Sequence, residues 1–192
     1  SNGAALACRA FVEIDDPAVD LIVPIVSQFH IHEVNNFTQF FMPTDHLDTT
    51  SAAADYGYNV QKVPAAGRKI LMMQNTNDGV IPYNGGAGVG IQFIGARLCT
   101  YRMAQAMGWA GGEQNAGLTY QGDAATQLYR YNINGNVNEV VHCASNGGHG
   151  INAKMITLFE EWVESDGQTI TVTLPSNTSV SYTHLRAHET RP

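Results

Sequence analysis

Residues 69–83 read KILMMQNTNDGVIPY. The apolar run Ile70-Leu71-Met72-Met73 gives way to Gln74-Asn75-Thr76-Asn77-Asp78-Gly79, which predicts a buried strand of roughly five residues ending in a turn. The run resumes as Val80-Ile81-Pro82-Tyr83, and Pro82, with no N–H for a ladder, bars it from being a central strand. Asp78 thus stands in a loop just past the carboxyl end of a buried strand, where open α/β sheets gather ligand and catalytic groups. Asp-Gly is also an ordinary turn pair for backbone reasons alone. The rest of the chain has to decide between the two readings.

Upstream, residues 1–13 are rich in helix formers, and Leu6, Ala10 and Phe11 can share one face. Leu21-Ile22-Val23-Pro24-Ile25-Val26 reads as the next buried strand, with Pro24 marking its exit. Residues 27–67 have weak periodicity and carry Phe37, Phe40, Phe41, Met42, Tyr56 and Tyr58 among Asn, Thr and His. A span this long between strands is more often a lid or binding insert than a plain connector.

Downstream, Gly85-Gly86-Ala87-Gly88-Val89-Gly90 reads as a hinge. It is not a phosphate loop, because it lacks Gly-Lys-Ser/Thr and no strand feeds a GxGxxG turn. Ile91, Ile94, Leu98 and Tyr101 recur at helical spacing, predicting an amphipathic helix over 91–107. Residues 108–122 read as loop. Residues 127–133 and 139–143 read as strands, joined by the hairpin signal Asn134-Gly135-Asn136. Ser145-Asn146-Gly147-Gly148-His149-Gly150 is a loop, and Asn152 can cap a last helix with Met155, Leu158, Phe159 and Trp162 on one face.

The 192 residues suffice for one domain with a substantial core. Hydrophobic residues at 44% argue against disorder, and a net charge of −7 offers no basic surface for nucleic acid or anionic lipid. No apolar run approaches the ~20 residues of a membrane helix, and the opening residues lack the basic and apolar regions of a signal peptide. Cys8, Cys99 and Cys143 show no CxxC spacing. They are read as buried thiols, the alternative being one disulfide and one free thiol. Residues 180–190 resemble the in-frame translation of a transposase-type sequencing adapter. The tail 180–192 is therefore set apart as artefactual or disordered, leaving 1–179 as the domain.

The first residues bear on the choice at Asp78. Ser1-Asn2-Gly3-Ala4-Ala5-Leu6-Ala7 resembles the second half of a G-x-S-x-G nucleophile elbow followed by its helix. Such a turn needs small residues beside the Ser, because the backbone bends sharply from strand to helix. Two other readings stand beside it: a cloning scar or chance Ser at a fragment end, and an N-terminal nucleophile with its own α-amine as base. With the elbow, Ser1, Asp78 and His149 run in the order Ser…Asp…His, which is the order of α/β-hydrolases. A Ser Oγ is a poor nucleophile until an imidazole takes its proton, and the imidazole needs a buried carboxylate to hold its tautomer.

On these residues the chain resembles the carboxyl-terminal part of an α/β-hydrolase esterase of the polyhydroxybutyrate depolymerase and feruloyl esterase type. Its Ser1-Asn2-Gly3 with Arg9 is similar to that family's Ser-Asn-Gly elbow and Arg-containing helix. Residues 21–27 resemble its "APVAG"-like strand. Residues 74–86, with Asp78, Pro82, Tyr83, Gly85 and Gly86, resemble its "HGTxDxxVPYxGG" loop. Gly147-Gly148-His149 resembles its "GGGH" loop. The likeness covers most of 1–164. It departs at Gln74-Asn75, where the family has His-Gly, at Gly150-Ile151, where a Trp-Pro often follows the His, and over 27–67.

The resemblance implies an α/β-hydrolase fold, the carboxyl-terminal half of a mostly parallel sheet flanked by helices. It implies a secreted serine esterase acting on feruloyl, acetyl or hydroxyalkanoate esters without a cofactor. Ser1 is then nucleophile, His149 base, Asp78 orienter and the Asn2 N–H an oxyanion donor, with Phe37, Phe40, Phe41, Tyr56 and Tyr83 against substrate. A polypeptide lacking the strands before its elbow is expected to be inactive by itself. A rival reading is a metal-binding module built on His30, His32 and His46 with Glu33, Asp45 and Asp48. His30-x-His32 puts both imidazoles on one face of a strand.

Overall fold

A computed structural model describes residues 2–14, 16–29 and 63–173, together with the backbone of two short strands at 34–35 and 39–40. The elements in order are α1 (Asn2–Glu13), β1 (Leu21–Ile22), β2 (Val34–Asn35), β3 (Gln39–Phe40), β4 (Lys69–Asn75), β5 (Gly86–Gly88), β6 (Ile91–Phe93), α2 (Ala96–Ala106), β7 (Leu118–Tyr120), β8 (Asp123–Ile133), β9 (Asn136–Ser145), α3 (Ala153–Glu164) and β10 (Val172–Thr173).

Six strands form one sheet in the order β1-β4-β9-β8-β7-β10. β4 lies between β1 and β9 and is parallel to both. Its residues Ile70 to Asn75 are all buried, as expected of a parallel strand covered on both faces. Beyond β9 the pairing turns antiparallel, from β9 to β8, β8 to β7 and β7 to β10. The protein is thus α/β with a mixed sheet, which corrects the expectation of a mostly parallel one. The cause is local. Asn134 and Gly135 have φ of 51° and 84°, Ile133 pairs Asn136 across them, and a two-residue turn of this hand can only return the chain antiparallel.

Strand alternation sends successive side chains to opposite faces and so builds two cores. On one face Ile70, Met72 and Val140 meet Cys8, Phe11 and Val12 of α1 and Cys99, Met103 and Ala104 of α2. On the other, Leu71, Met73, Val141 and Cys143 meet Met155, Leu158 and Trp162 of α3. Two helices on one face and one on the other give three layers around the sheet.

Several sequence expectations shift. In α1 the buried face is Cys8, Phe11 and Val12, while Leu6 is 69% exposed. The hinge at 85–90 is a hairpin, β5 against β6. The helix expected over 91–107 begins only at Ala96, after β6, and buries Cys99, Thr100 and Met103. The stretch 108–122 contains β7. In α3 Phe159 is partly exposed while Met155, Leu158 and Trp162 are buried. The strand expected at 21–26 is β1, extended past Pro24 by an isolated bridge from Ile25 to Met73. All three cysteines are buried, and none is in a disulfide.

Candidate active site

β4 and β9 end level, with Asn75 opposite Ser145, so both following loops rise from one edge of the sheet. Their backbones stay joined past the strands. Thr76 N–H donates to Ser145 O at 2.8 Å and Asn77 N–H to Gly147 O at 3.1 Å. The loop of Asp78 and the loop of His149 are therefore a continuation of the parallel ladder.

Asp78 and His149 meet there. His149 Nδ1 lies 2.9 Å from Asp78 Oδ2, and the Asp78 side chain is fully enclosed while that of His149 is 26% exposed. The other oxygen, Oδ1, accepts from the N–H groups of Val80 at 2.8 Å and Ile81 at 2.9 Å. The plain turn and the acid are thus the same residue: one oxygen closes the turn and the other faces the imidazole. Gln74 Nε2 also donates to Oδ2, at 2.9 Å. Burial alone would raise the Asp78 pKa. Hydrogen bonds from Ile81, His149 and Val80 outweigh it and hold the carboxyl below its usual range, ionised at neutral pH.

The His149 loop is pinned from both sides. Asn75 Nδ2 donates to Gly148 O at 2.7 Å and Gly150 O at 2.6 Å, the carbonyls that flank His149. Asn152 Nδ2 donates to Ser145 Oγ at 2.8 Å, and its Oδ1 accepts from Met155 N–H at 3.0 Å, capping α3.

Of the other residues singled out in the sequence, Asn2 opens α1 and is exposed. Tyr83 is half-buried, and its hydroxyl meets His142 Nε2 at 3.0 Å. Ser1, Phe37, Phe41 and Tyr56 lie outside the described residues, and Phe40 is described only as backbone of β3. The same holds for His30, His32, Glu33, Asp45, His46 and Asp48, and for the tail 180–192. Among the described residues no group of three His, Cys, Asp or Glu side chains is placed to hold a metal ion.

Sequence reasoning passed over His142. It is buried in β9 between Val141 and Cys143, and its Nδ1 lies 3.2 Å from Thr100 Oγ1. Thr100 Oγ1 also lies 3.2 Å from Ala96 O. One arrangement that satisfies all three contacts has Tyr83 O–H donating to Nε2, Nδ1–H donating to Thr100, and Thr100 donating to Ala96 O. Burial, helped by Arg97, depresses the His142 pKa to about 3, so this imidazole is neutral. The sequence signal was a lone polar residue inside an apolar strand.

Compared with known proteins, the chain matches no family model, no curated protein and no solved structure.

Proposed function

We propose that the chain carries the nucleophile, acid and base of an α/β-hydrolase serine esterase, Ser1, Asp78 and His149. The observation that carries this reading is the buried carboxylate of Asp78 at 2.9 Å from His149 Nδ1, at the carboxyl edge of two parallel strands. With Nδ1 engaged, Nε2 is the nitrogen left to take a proton from a hydroxyl. The neighbourhood of α1 supports the third member. Arg68, just before β4, donates to the carbonyls of Phe11, Ile14 and Asp16 and so ties the end of α1 to the start of β4. A helix that leads by a short connection into a parallel strand runs back antiparallel to it. Twelve residues reach about 18 Å, which carries the Asn2 end of α1 toward the edge of Asp78 and His149.

The chemistry follows from these groups. His149 Nε2 removes the Ser1 Oγ proton as Oγ attacks the ester carbonyl carbon, and the imidazolium is stabilised by Asp78. The Asn2 N–H, next after the nucleophile, donates to the oxyanion. As the carbonyl re-forms, the C–O bond to the alcohol breaks and His149 returns the proton to the leaving oxygen. Water then repeats the sequence on the acyl-enzyme. The substrate class is a carboxylic ester, small or polymeric, of the feruloyl, acetyl or hydroxyalkanoate kind, and the setting extracellular; both rest on the family resemblance.

The test is hydrolysis of a short p-nitrophenyl ester and of a feruloyl ester by the chain expressed with whatever coding sequence precedes Ser1. Ser1→Ala and His149→Ala should each lose several orders of magnitude in turnover. Rates equal to the parent's in both variants would overturn the mechanism.

A further inference from the structure

We infer that Gln74 and Asn75, the last two residues of β4, are positioning residues, Gln74 for the acid and Asn75 for the base. The inference rests on the serine-esterase reading above. As neighbours on a strand they send their side chains to opposite faces, and both are buried, at 2% and 1% exposure. Each therefore needs a local use for its amide, and each spends both N–H groups on one of the two loops.

Gln74 Nε2 donates to Asp78 Oδ2 at 2.9 Å and to Ile81 O at 3.0 Å. It spans the turn from the acid to the residue whose own N–H holds Asp78 Oδ1. The carboxylate thus has two donors on each oxygen: Val80 and Ile81 on Oδ1, Gln74 and His149 on Oδ2. That fixes both its plane and the direction in which Oδ2 presents itself to the imidazole. Gln74 Oε1 is buried and has no hydrogen-bond partner among the described residues. An orphaned buried acceptor is costly. Turning the amide over would aim Oε1 at the Asp78 carboxylate and lose both donors, so the amide is held by its NH2 group.

Asn75 does the corresponding work for the base. Its two donations fall on the carbonyls before and after His149, and its Oδ1 lies 3.3 Å from the donor Nδ2 of Asn152. Gly147 is the residue that lets it in: a Cβ there would stand 2.8 Å from Asn75 Oδ1. The pair stands where the resemblance has His-Gly, and Asn75 supplies two side-chain donors at a position where a glycine has none.

The test labels the histidines with 15N and follows exchange of the His149 Nδ1 proton in the wild-type chain, Gln74→Met, Gln74→His and Asn75→Asp, each expressed with any coding sequence that precedes Ser1, as in the esterase assay above. Met keeps the volume of Gln74 and removes its donors; His keeps one donor. A hydrogen bond to a charged group is worth about tenfold or more. Gln74→Met should exchange this proton about tenfold faster and lower kcat about tenfold, with KM within about twofold of wild type. Gln74→His should stay close to wild type in both. Asn75→Asp, which keeps the acceptor and loses the donors, should also speed exchange about tenfold. His142 resonances at their wild-type positions report an intact sheet. Exchange unchanged in both Gln74→Met and Asn75→Asp would overturn the inference. If the esterase reading itself fails, no variant has a kcat to lose, and the proton alone still decides whether these side chains position the pair.

Discussion

Asp78 divides its two oxygens between the Val80-Ile81 turn and the His149 imidazole, and that division can be tested by changing one atom. In Asp78→Asn the remaining oxygen can still accept from Val80 and Ile81, so the turn survives. The new NH2 then faces the His149 nitrogen that needs an acceptor, and the imidazole loses its orienter. Turnover should fall by roughly 10³–10⁴ while the fold persists. The same residue sets an acid-stability limit. Its folded pKa lies below the unfolded value of about 3.9. Its contribution is therefore complete above about pH 4 and is lost as pH falls through the folded pKa. Urea midpoints of wild type and Asp78→Asn should converge below about pH 4. His142 acts at higher pH. Its folded pKa of about 3 lies far below an unfolded value near 6.5. Its contribution is full above about pH 6.5 and declines toward pH 3, by about 1.4 kcal/mol per pH unit between. In His142→Gln that slope should disappear from the stability profile between pH 6 and 4. Sequence order and loop composition brought Asp78 and His149 into view. Gln74, Asn75 and His142 stayed hidden, because a polar residue at a strand end or inside a strand declares its partner only once the neighbouring strand is known.

The β8–β9 hairpin and the start of α3 were legible because each turns on chemistry at one or two positions. Asn134-Gly135 supplies two positive φ values, and Asn152 supplies a side-chain oxygen for the Met155 N–H. Gly135→Val, which forces a β-branched residue to φ 84°, should cost about 1–2 kcal/mol in denaturant unfolding. Asn152→Ala should cost about 1 kcal/mol for the cap alone. It should also loosen the base loop, since Asn152 holds Ser145 Oγ as well. The hairpin of β5 and β6 was not legible. Glycine reads as a breaker, yet here Gly88 lies in a strand because a Cβ would come within 2.4 Å of Val80 O. That close approach is a tertiary fact. The helix expected over 91–107 failed at its start for a related reason. Apolar spacing ran on across β6 and α2, and no capping side chain marks Gly95 as the boundary.

At the scale of the molecule, the parallel half of the sheet places the candidate site and the antiparallel half extends its frame. β1, β4 and β9 bring their carboxyl ends to one edge, while β8, β7 and β10 carry both cores outward. The helices, α2 only in part, and the buried strands β4, β8 and β9 were legible from apolar patterning, whereas β7 and β10 were not. The mixed pairing was not, although the hairpin at Asn134-Gly135 already required one antiparallel neighbour for β9; the missing link was that β8 continues into β7 and β10. Three buried thiols spread over α1, α2 and β9 follow from the same two cores, and burial raises the Cys143 pKa to about 12. A thiol reagent should therefore find no reactive cysteine in the native chain and all three in denaturant; a disulfide in the native chain would refute that arrangement. In the proposed mechanism Asp78 and His149 serve a nucleophile at Ser1. The most direct measurement treats the chain, expressed with any coding sequence that precedes Ser1, with a fluorophosphonate and locates the adduct by peptide mass spectrometry. One adduct is expected, on Ser1 Oγ, and none in His149→Ala. An adduct on another residue, or a Ser1 adduct formed equally well without His149, would contradict that mechanism.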